Sequence, residues 1–266
     1  MNFLDVLNSI DSFVWGPPLL VLLVGTGILL TFRLHLLQLS KLARAFKLIF
    51  TARNDGEGDI DSFKALCTAL AATVGTGNIV GVATAIKAGG PGALFWMWVA
   101  AFFGMATKYA EGVLAVKYRE VDDQGNISGG PMYYIKNGLG DKWKPLGTLF
   151  AIFGVLVAYF GIGTFAQVNS IIDIANITFG VSPYVVGGII TVLVAAITLG
   201  GLQSIAKTAE KIIPAMAVLY FLVTISILVI FADQIPNAVY QIIHDAFTPT
   251  AATGGFLGAT VMLAIR

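Results

Sequence analysis

The chain has 266 residues, 57% of them apolar and only 12% charged, with a mean hydropathy of +0.84; a soluble domain carries about 25% charged residues, so an ordinary globular domain is excluded. Sixteen Lys and Arg against fifteen Asp and Glu leave a net charge of +1, which offers nucleic acid no basic field. The single Cys67 excludes an internal disulfide framework or an all-cysteine metal cluster, and His35 and His244 stand too far apart in sequence for a histidine metal site.

The few charges are gathered in blocks, and the uncharged runs between them are long enough, as helices, to cross the roughly 30 Å hydrocarbon core of a bilayer. Seven crossings are expected. The first is Ser12–Phe32; Asp5 and Asp11 precede it with no Lys or Arg, which argues against a cleaved signal peptide. After it, Leu39, Leu42, Phe46 and Ile49 recur at helical spacing while Lys41, Arg44 and Lys47 occupy another face, predicting a helix that lies on the membrane surface. The acidic tract Asp55, Glu57, Asp59 and Asp61 reads as a solvated linker that caps the next helix with negative charge. The second, third and fourth crossings are Ala65–Ile86, Ala88–Thr107 and Pro145–Ile172. The run Ile174–Ala206 holds 33 residues, too many for one crossing, so Ile174–Ser182 is read as a loop and Pro183–Leu202 as the fifth. Ile212–Ala232 is the sixth and Ala246–Ile265 the seventh.

Basic residues fix an orientation. Fifteen of the sixteen Lys and Arg fall in one alternate set of connections and only Lys87 in the other. Because the basic set faces the cytoplasm, the amino terminus is expected outside and the carboxyl terminus inside.

The second crossing carries Thr73-Val74-Gly75-Thr76-Gly77-Asn78 at its middle, with Gly81 four residues beyond Gly77. Glycine and asparagine interrupt a helix at a cost, and unwound backbone at the midplane is tolerated only where it is buried in protein or lines a site. A half-helix N-terminus presents N–H groups to a carboxylate, and freed carbonyls suit a sodium ion. Close helix packing through Gly77-xxx-Gly81 is the competing reading; the polar cluster Thr73, Thr76 and Asn78 favours a site, because polar groups at that depth need partners. The seventh crossing runs in the opposite sense and has its own interruption, Thr253-Gly254-Gly255-Phe256-Leu257-Gly258. Paired, oppositely oriented broken helices point to an inverted-repeat transporter. Residues 65–232 then form the first five-helix repeat and 233–266 the start of a second.

Four motifs in order carry a resemblance: Gly75-Thr76-Gly77-Asn78-Ile79-Val80-Gly81-Val82-Ala83-Thr84; Gly89-Gly90-Pro91-Gly92-Ala93 leading to Phe95-Trp96-Met97-Trp98; Gly104-Met105-Ala106-Thr107-Lys108-Tyr109-Ala110-Glu111; and Gly129-Gly130-Pro131-Met132-Tyr133-Tyr134. Together with the Gly161 to Asn169 stretch they resemble the alanine or glycine:cation symporter family. The resemblance implies an all-α, leucine-transporter-like fold of two inverted five-helix repeats. It implies that residues 1–64 hold an extra transmembrane helix and the surface helix, and that a sodium gradient drives uptake of alanine or glycine through the cell membrane. It assigns Gly75, Thr76, Gly77 and Asn78 to the substrate's carboxylate and amine, with Thr73 beside them, and Gln167 to a substrate-facing glutamine whose amide both donates and accepts. The carbonyls of Ala71 and Val74 match positions that help ligate sodium. Family members are longer than this chain, so most of the second repeat, with the remaining ligands, is expected to lie beyond it.

Other residues are read more plainly. Lys108 and Glu111, three apart, form an interfacial pair near the end of the third crossing; Asp173 is a solvated helix end; Cys67 serves as a small apolar side chain; Trp96 and Trp98 pack near the middle of the third crossing; and Asn176-Ile177-Thr178 weakly matches a glycosylation acceptor. An ion channel is the alternative, since Thr73 to Gly77 looks like a potassium filter, but a filter sits on a re-entrant loop and the basic-residue count requires this segment to cross. An enzyme is not expected, because Ser128 has no histidine near it in sequence.

Overall fold

The computed structural model describes residues 3–14, 16–51, 61–125, 127–160 and 162–248. Helices dominate. In chain order they are α1 (Phe3–Val14), α2 (Pro17–Arg33), α3 (Leu37–Ser40), α4 (Leu42–Phe50), α5 (Ser62–Thr73), α6 (Val80–Gly89) and α7 (Ala93–Lys117); a two-stranded hairpin of β1 (Glu120–Val121) and β2 (Ile127–Ser128); then α8 (Pro131–Leu139), α9 (Lys144–Phe160), α10 (Ile162–Phe179), α11 (Pro183–Thr198), α12 (Gly201–Ile230) and α13 (Ile235–Asp245). By length and apolarity α7, the stretch Asp141–Phe179 that takes in α9 and α10, and α12 each suffice to cross a membrane, and α5 and α6 pass the same test together, as a broken span or a re-entrant loop. Two shorter apolar helices, Val21–Arg33 within α2 and α11, accompany them; the 16 residues of α11 reach about 24 Å. The seventh expected crossing lies, from residue 249 on, outside the described residues.

Glycine, rather than charge, sets the helix ends. Helix α7 runs past Thr107 to Lys117, and α12 begins at Gly201, so that Lys207, Glu210 and Lys211 are helical rather than in a connection. Lys and Glu are good helix formers whose long stems carry the charge toward water, so a charge marks where a helix leaves the apolar zone and not where it stops. The same correction applies to Ile174–Ser182: α10 continues to Phe179 and ends where Gly180 takes φ +66°, with the Asn176 carbonyl accepting from Gly180 and the Asn176 amide donating to Val181. Asp173 is therefore inside α10, accepting a 3.0 Å bond from Asn169. Trp96 and Trp98 sit in the first two turns of α7 and not at its middle, because Gly90 (φ +72°), Pro91 and Gly92 delay its start to Ala93.

The chain divides into two compact units. The first takes the described residues of Met1–Ala45, Gly77–Val113 and Phe231–Arg266. Here α2 lies so close to α7 that a Cβ on Gly27 would fall 2.8 Å from the Phe103 carbonyl oxygen. Buried Gln38 ties α3 to both, its Nε2 donating to Thr31 Oγ1 (2.6 Å) and the Phe102 carbonyl (3.2 Å). Helix α2 ends in a Schellman turn, Leu36 N–H to Thr31 O and His35 N–H to Phe32 O, which places His35 and Leu36 at φ +53° and +52°, where glycine is the usual occupant. At the start of α7, Gly92 packs on the Asp245–Ala246 backbone, and Trp96 Nε1 donates to the Ala246 carbonyl beside the rings of Phe95 and Phe247.

The second unit takes the described residues of Phe46–Thr76 and Leu114–Ile230. Its core is the seam between α5 and α12, where Cys67, Ala209 and Ile213 are buried with Phe63 and Met216 against them; Cys67 is 2% exposed, the small apolar residue expected. Pro214, inside α12, has no N–H to return to the Glu210 carbonyl. Helix α9 approaches α8 closely enough that a Cβ on Gly147 would lie 2.9 Å from the Met132 carbonyl. In the hairpin Glu120 pairs with Ser128 and Val121 with Ile127, and Glu120 is held by Lys136 and Asn137, both at 2.9 Å.

Between α2 and α5 the amphipathic segment is helical in two pieces, α3 and α4, with Lys41 at the joint. Leu39, Leu42 and Phe46 are exposed, and so are Lys41, Arg44 and Lys47, while Ile49 is half-buried. Asp55, Glu57 and Asp59 lie outside the described residues; Asp61 caps α5 by accepting from Lys64 N at 2.8 Å.

Candidate functional site

The break between α5 and α6 is local and abrupt. Helix α5 stops at Thr73; Val74 is extended (φ −86°, ψ 112°), Gly75 follows, Thr76–Asn78 make one 3₁₀ turn, and α6 starts at Val80. A helix end leaves its last carbonyls without intrahelical donors. Among the described residues the Leu70 carbonyl is rescued by Val74 N–H at 2.7 Å, but no backbone N–H donates to the carbonyls of Ala71, Ala72, Thr73 or Val74. Two of these, Ala71 and Val74, are the positions expected to ligate sodium. Neutral oxygens in this number suit a hard monovalent cation, whose hydration they replace.

Gln167 stands on α10, one of the helices of the same unit, and its side-chain amide comes to the break. A Cβ on Gly75 would lie 2.9 Å from Gln167 Nε2, so the glycine is what allows the amide so near the backbone. Two residues expected at the substrate from separate parts of the sequence are thus adjacent. Thr76 is half-buried beside them. The Thr73 hydroxyl donates to its own helix at Ala69 O (2.7 Å), which leaves its oxygen as an acceptor only. Gly77 and Asn78 follow in the 3₁₀ turn and are exposed; Gly81 is buried, though a Cβ on Gly77 or Gly81 would meet nothing within 4 Å. The first amides of α6 point back along its axis and are unsatisfied within the helix, a polarity that favours an anion. The second glycine interruption, Thr253 to Gly258, lies outside the described residues.

Sequence reasoning overlooked three features. The Lys64–Glu210 pair (3.9 Å) between α5 and α12 gives no sign of itself while Glu210 is assigned to a connection. The buried Gln38 network carries only the weak signal of an amide beside an apolar run. The grip of Gly92 and Trp96 on residues 245–246 joins positions far apart in the chain. Lys108 and Glu111 do pair, at 2.8 Å and on the same helix face.

A mostly helical chain with several apolar helices of membrane length, and two more that meet at a break exposing backbone, is a multi-pass membrane protein of the transporter class. The family model described as the sodium:alanine symporter family matches residues 1–266. The chain belongs to that family, one of transporters and not of enzymes. It is 54% identical over 266 residues, its whole length and 58% of the relative's, to a Haemophilus influenzae protein named only as an uncharacterized transporter. It is 51% identical over 270 residues, covering 100% of this chain and 59% of the relative, to the sodium/alanine symporter AgcS of Methanococcus maripaludis. It is 37% identical over 265 residues, 98% of this chain and 54% of the relative, to the probable sodium/glutamine symporter GlnT of Bacillus subtilis. The chain therefore spans a little over half the length of these curated relatives.

Proposed function

We propose that the chain is the amino-terminal part of a sodium-coupled symporter for small neutral amino acids, alanine or glycine, working by alternating access. The observation that carries this reading is the approach of the Gln167 amide to Gly75, beside the freed carbonyls of Ala71 and Val74. The carbonyls supply neutral oxygens for sodium. Gln167, Thr76 and Thr73 supply donors and acceptors for a zwitterion, and Gly77 and Asn78, next in the chain, are the remaining residues proposed for its carboxylate and amine. The similarity to a sodium/alanine symporter supports alanine. On this reading residues 1–64 hold the extra helix and the surface helix, 65–232 the first inverted repeat and 233–266 the start of the second, across seven membrane spans in this chain. The amino terminus lies outside and the carboxyl terminus inside, an orientation checked by accessibility of terminal tags.

The experiment is radiolabelled alanine uptake into proteoliposomes under a sodium gradient, with potassium as control, by the chain extended to the length of its relatives. Saturable uptake in sodium alone is expected, and Asn78→Ala is expected to raise the KM for alanine. Ion flux that does not saturate, without alanine uptake, would replace the symporter by the channel that the Thr73–Gly77 tract suggests.

A further inference from the structure

Helix α5 is anchored at one end and open at the other. Lys64, in its first turn, stands between Asp61 at 2.7 Å and Glu210 of α12 at 3.9 Å, all three side chains about a third exposed or less. One turn on, Cys67 is sealed against Ala209 and Ile213, where the small Ala209 lets the helices approach. Lys64, Cys67 and Ala71 are spaced i, i+3 and i+7 and share a face of α5. From Lys64 to Ala71 is about 10 Å along the axis. Beyond Thr73 no helix continues to hold the free end. A short rigid rod fixed at one end carries any shift of that end to the other, so the placing of the Ala71 and Val74 carbonyls depends on how α5 is seated on α12. The partner side is adjustable, because Pro214 leaves the Glu210 carbonyl without its helical donor.

We propose that Lys64 and Glu210 are positioning residues for the cation: their ion pair seats α5 on α12 and thereby sets the place of the carbonyls that ligate sodium. Neither touches the ion. The proposal rests on the symporter reading and adds to it the residues that hold the ligands in register.

Two readouts test it in the chain extended to the length of its relatives and reconstituted in vesicles: the apparent KM for sodium, and the rate at which a membrane-permeant maleimide labels Cys67, with Cys67→Ser as background. Glu210→Gln is expected to raise both about two- to fivefold, the factor a partly exposed ion pair supports, with the maximal rate at saturating sodium little changed; Glu210→Asp, which keeps the charge one methylene further from Lys64, is expected to raise both by less. Ala209→Leu, which wedges the same seam without altering charge, is expected to move both in the same direction. Glu210→Gln with an unchanged sodium KM, whether or not labelling rises, overturns the proposal when the unsubstituted protein transports. An unsubstituted protein without sodium-dependent uptake overturns the symporter reading instead.

Discussion

Gly75→Ala is the most direct probe of the site. The added methyl would stand 2.9 Å from Gln167 Nε2, half an ångström inside the 3.4 Å at which ordinary contact begins. Gly75 is not in the left-handed region, so alanine meets no backbone penalty there, and the group it strikes is the end of a flexible side chain. The strain is therefore relieved by moving the amide, and the folded protein loses little stability. Function is another matter: a hydrogen bond to a charged group is worth about 1.5–3 kcal/mol, or about a 10- to 100-fold change in KM when its donor is pushed aside. Alanine uptake by the extended chain in proteoliposomes should show that rise in KM with an unchanged melting temperature. Gln167→Asn, one methylene shorter, should recover part of the loss in the Gly75→Ala background though it weakens binding by itself, a coupling that a double-mutant cycle isolates. An unchanged KM in Gly75→Ala would refute the reasoning that places Gln167 at the substrate.

Three further outcomes are expected elsewhere. His35→Gly should stabilise the protein by about 0.5–1 kcal/mol: the left-handed conformation at φ +53° costs a side chain about 1–2 kcal/mol, of which glycine's freedom in the unfolded chain cancels about 0.5–1 kcal/mol; a lower melting temperature in detergent would show that the imidazole makes contacts outweighing the strain. Gly27→Ala should destabilise by about 1–3 kcal/mol, because the methyl meets Phe103 backbone at 2.8 Å and backbone yields less than a side-chain tip; a melt within error of the unsubstituted protein would refute the close approach of α2 to α7. Lys136, and after it Asn137, holds the Glu120 carboxyl below its ordinary value, and Glu120 raises Lys136 in turn. The Glu120 contribution is complete above the ordinary carboxylate range and is lost as pH falls through its lowered pKa, while that of Lys136 is lost only as pH rises through its raised one. The melting temperature of Glu120→Gln should thus lie below that of the unsubstituted protein at neutral pH and converge with it in strong acid; a gap that persists there would exclude the ion pair as its cause.

How much of this was legible depended on the kind of signal. The break at Thr73–Asn78 could be read because two glycines and a group of polar side chains in the middle of an apolar run are costly in a bilayer unless they open the helix toward protein or a site. Helix limits could not be read from charge: Lys108 and Glu111 pair on one face of α7, and Lys207, Glu210 and Lys211 sit inside α12, since long charged side chains reach water from within a helix. The true punctuation was glycine at positive φ, at Gly90, Gly180 and Gly201. The Schellman turn at His35 and Leu36 gave no signal, because neither residue favours the conformation it adopts. The adjacency of Gly75 and Gln167 was available only through family resemblance, as no local pattern joins positions so distant in the chain.

Exposed backbone in a membrane is costly, each unsatisfied group by several kcal/mol, and four carbonyls in succession, from Ala71 to Val74, receive no backbone N–H among the described residues. Such a stretch persists only if something else satisfies it. On the symporter reading that something is a cation, since one ion engages several oxygens at once, whereas each water brings two donors at most. The Gln167 amide has the opposite character, with hydrogens and an oxygen to offer, and it lies against the same few residues. On the proposed reading the two ligands are therefore coupled by construction: sodium orders the carbonyls and fixes Val74 and Gly75, and fixing Gly75 fixes the backbone beside the Gln167 amide. Binding of the amino acid then draws on a site whose ordering cost the ion has already met, and by reciprocity the amino acid tightens the ion. One break in one helix is enough to link the two.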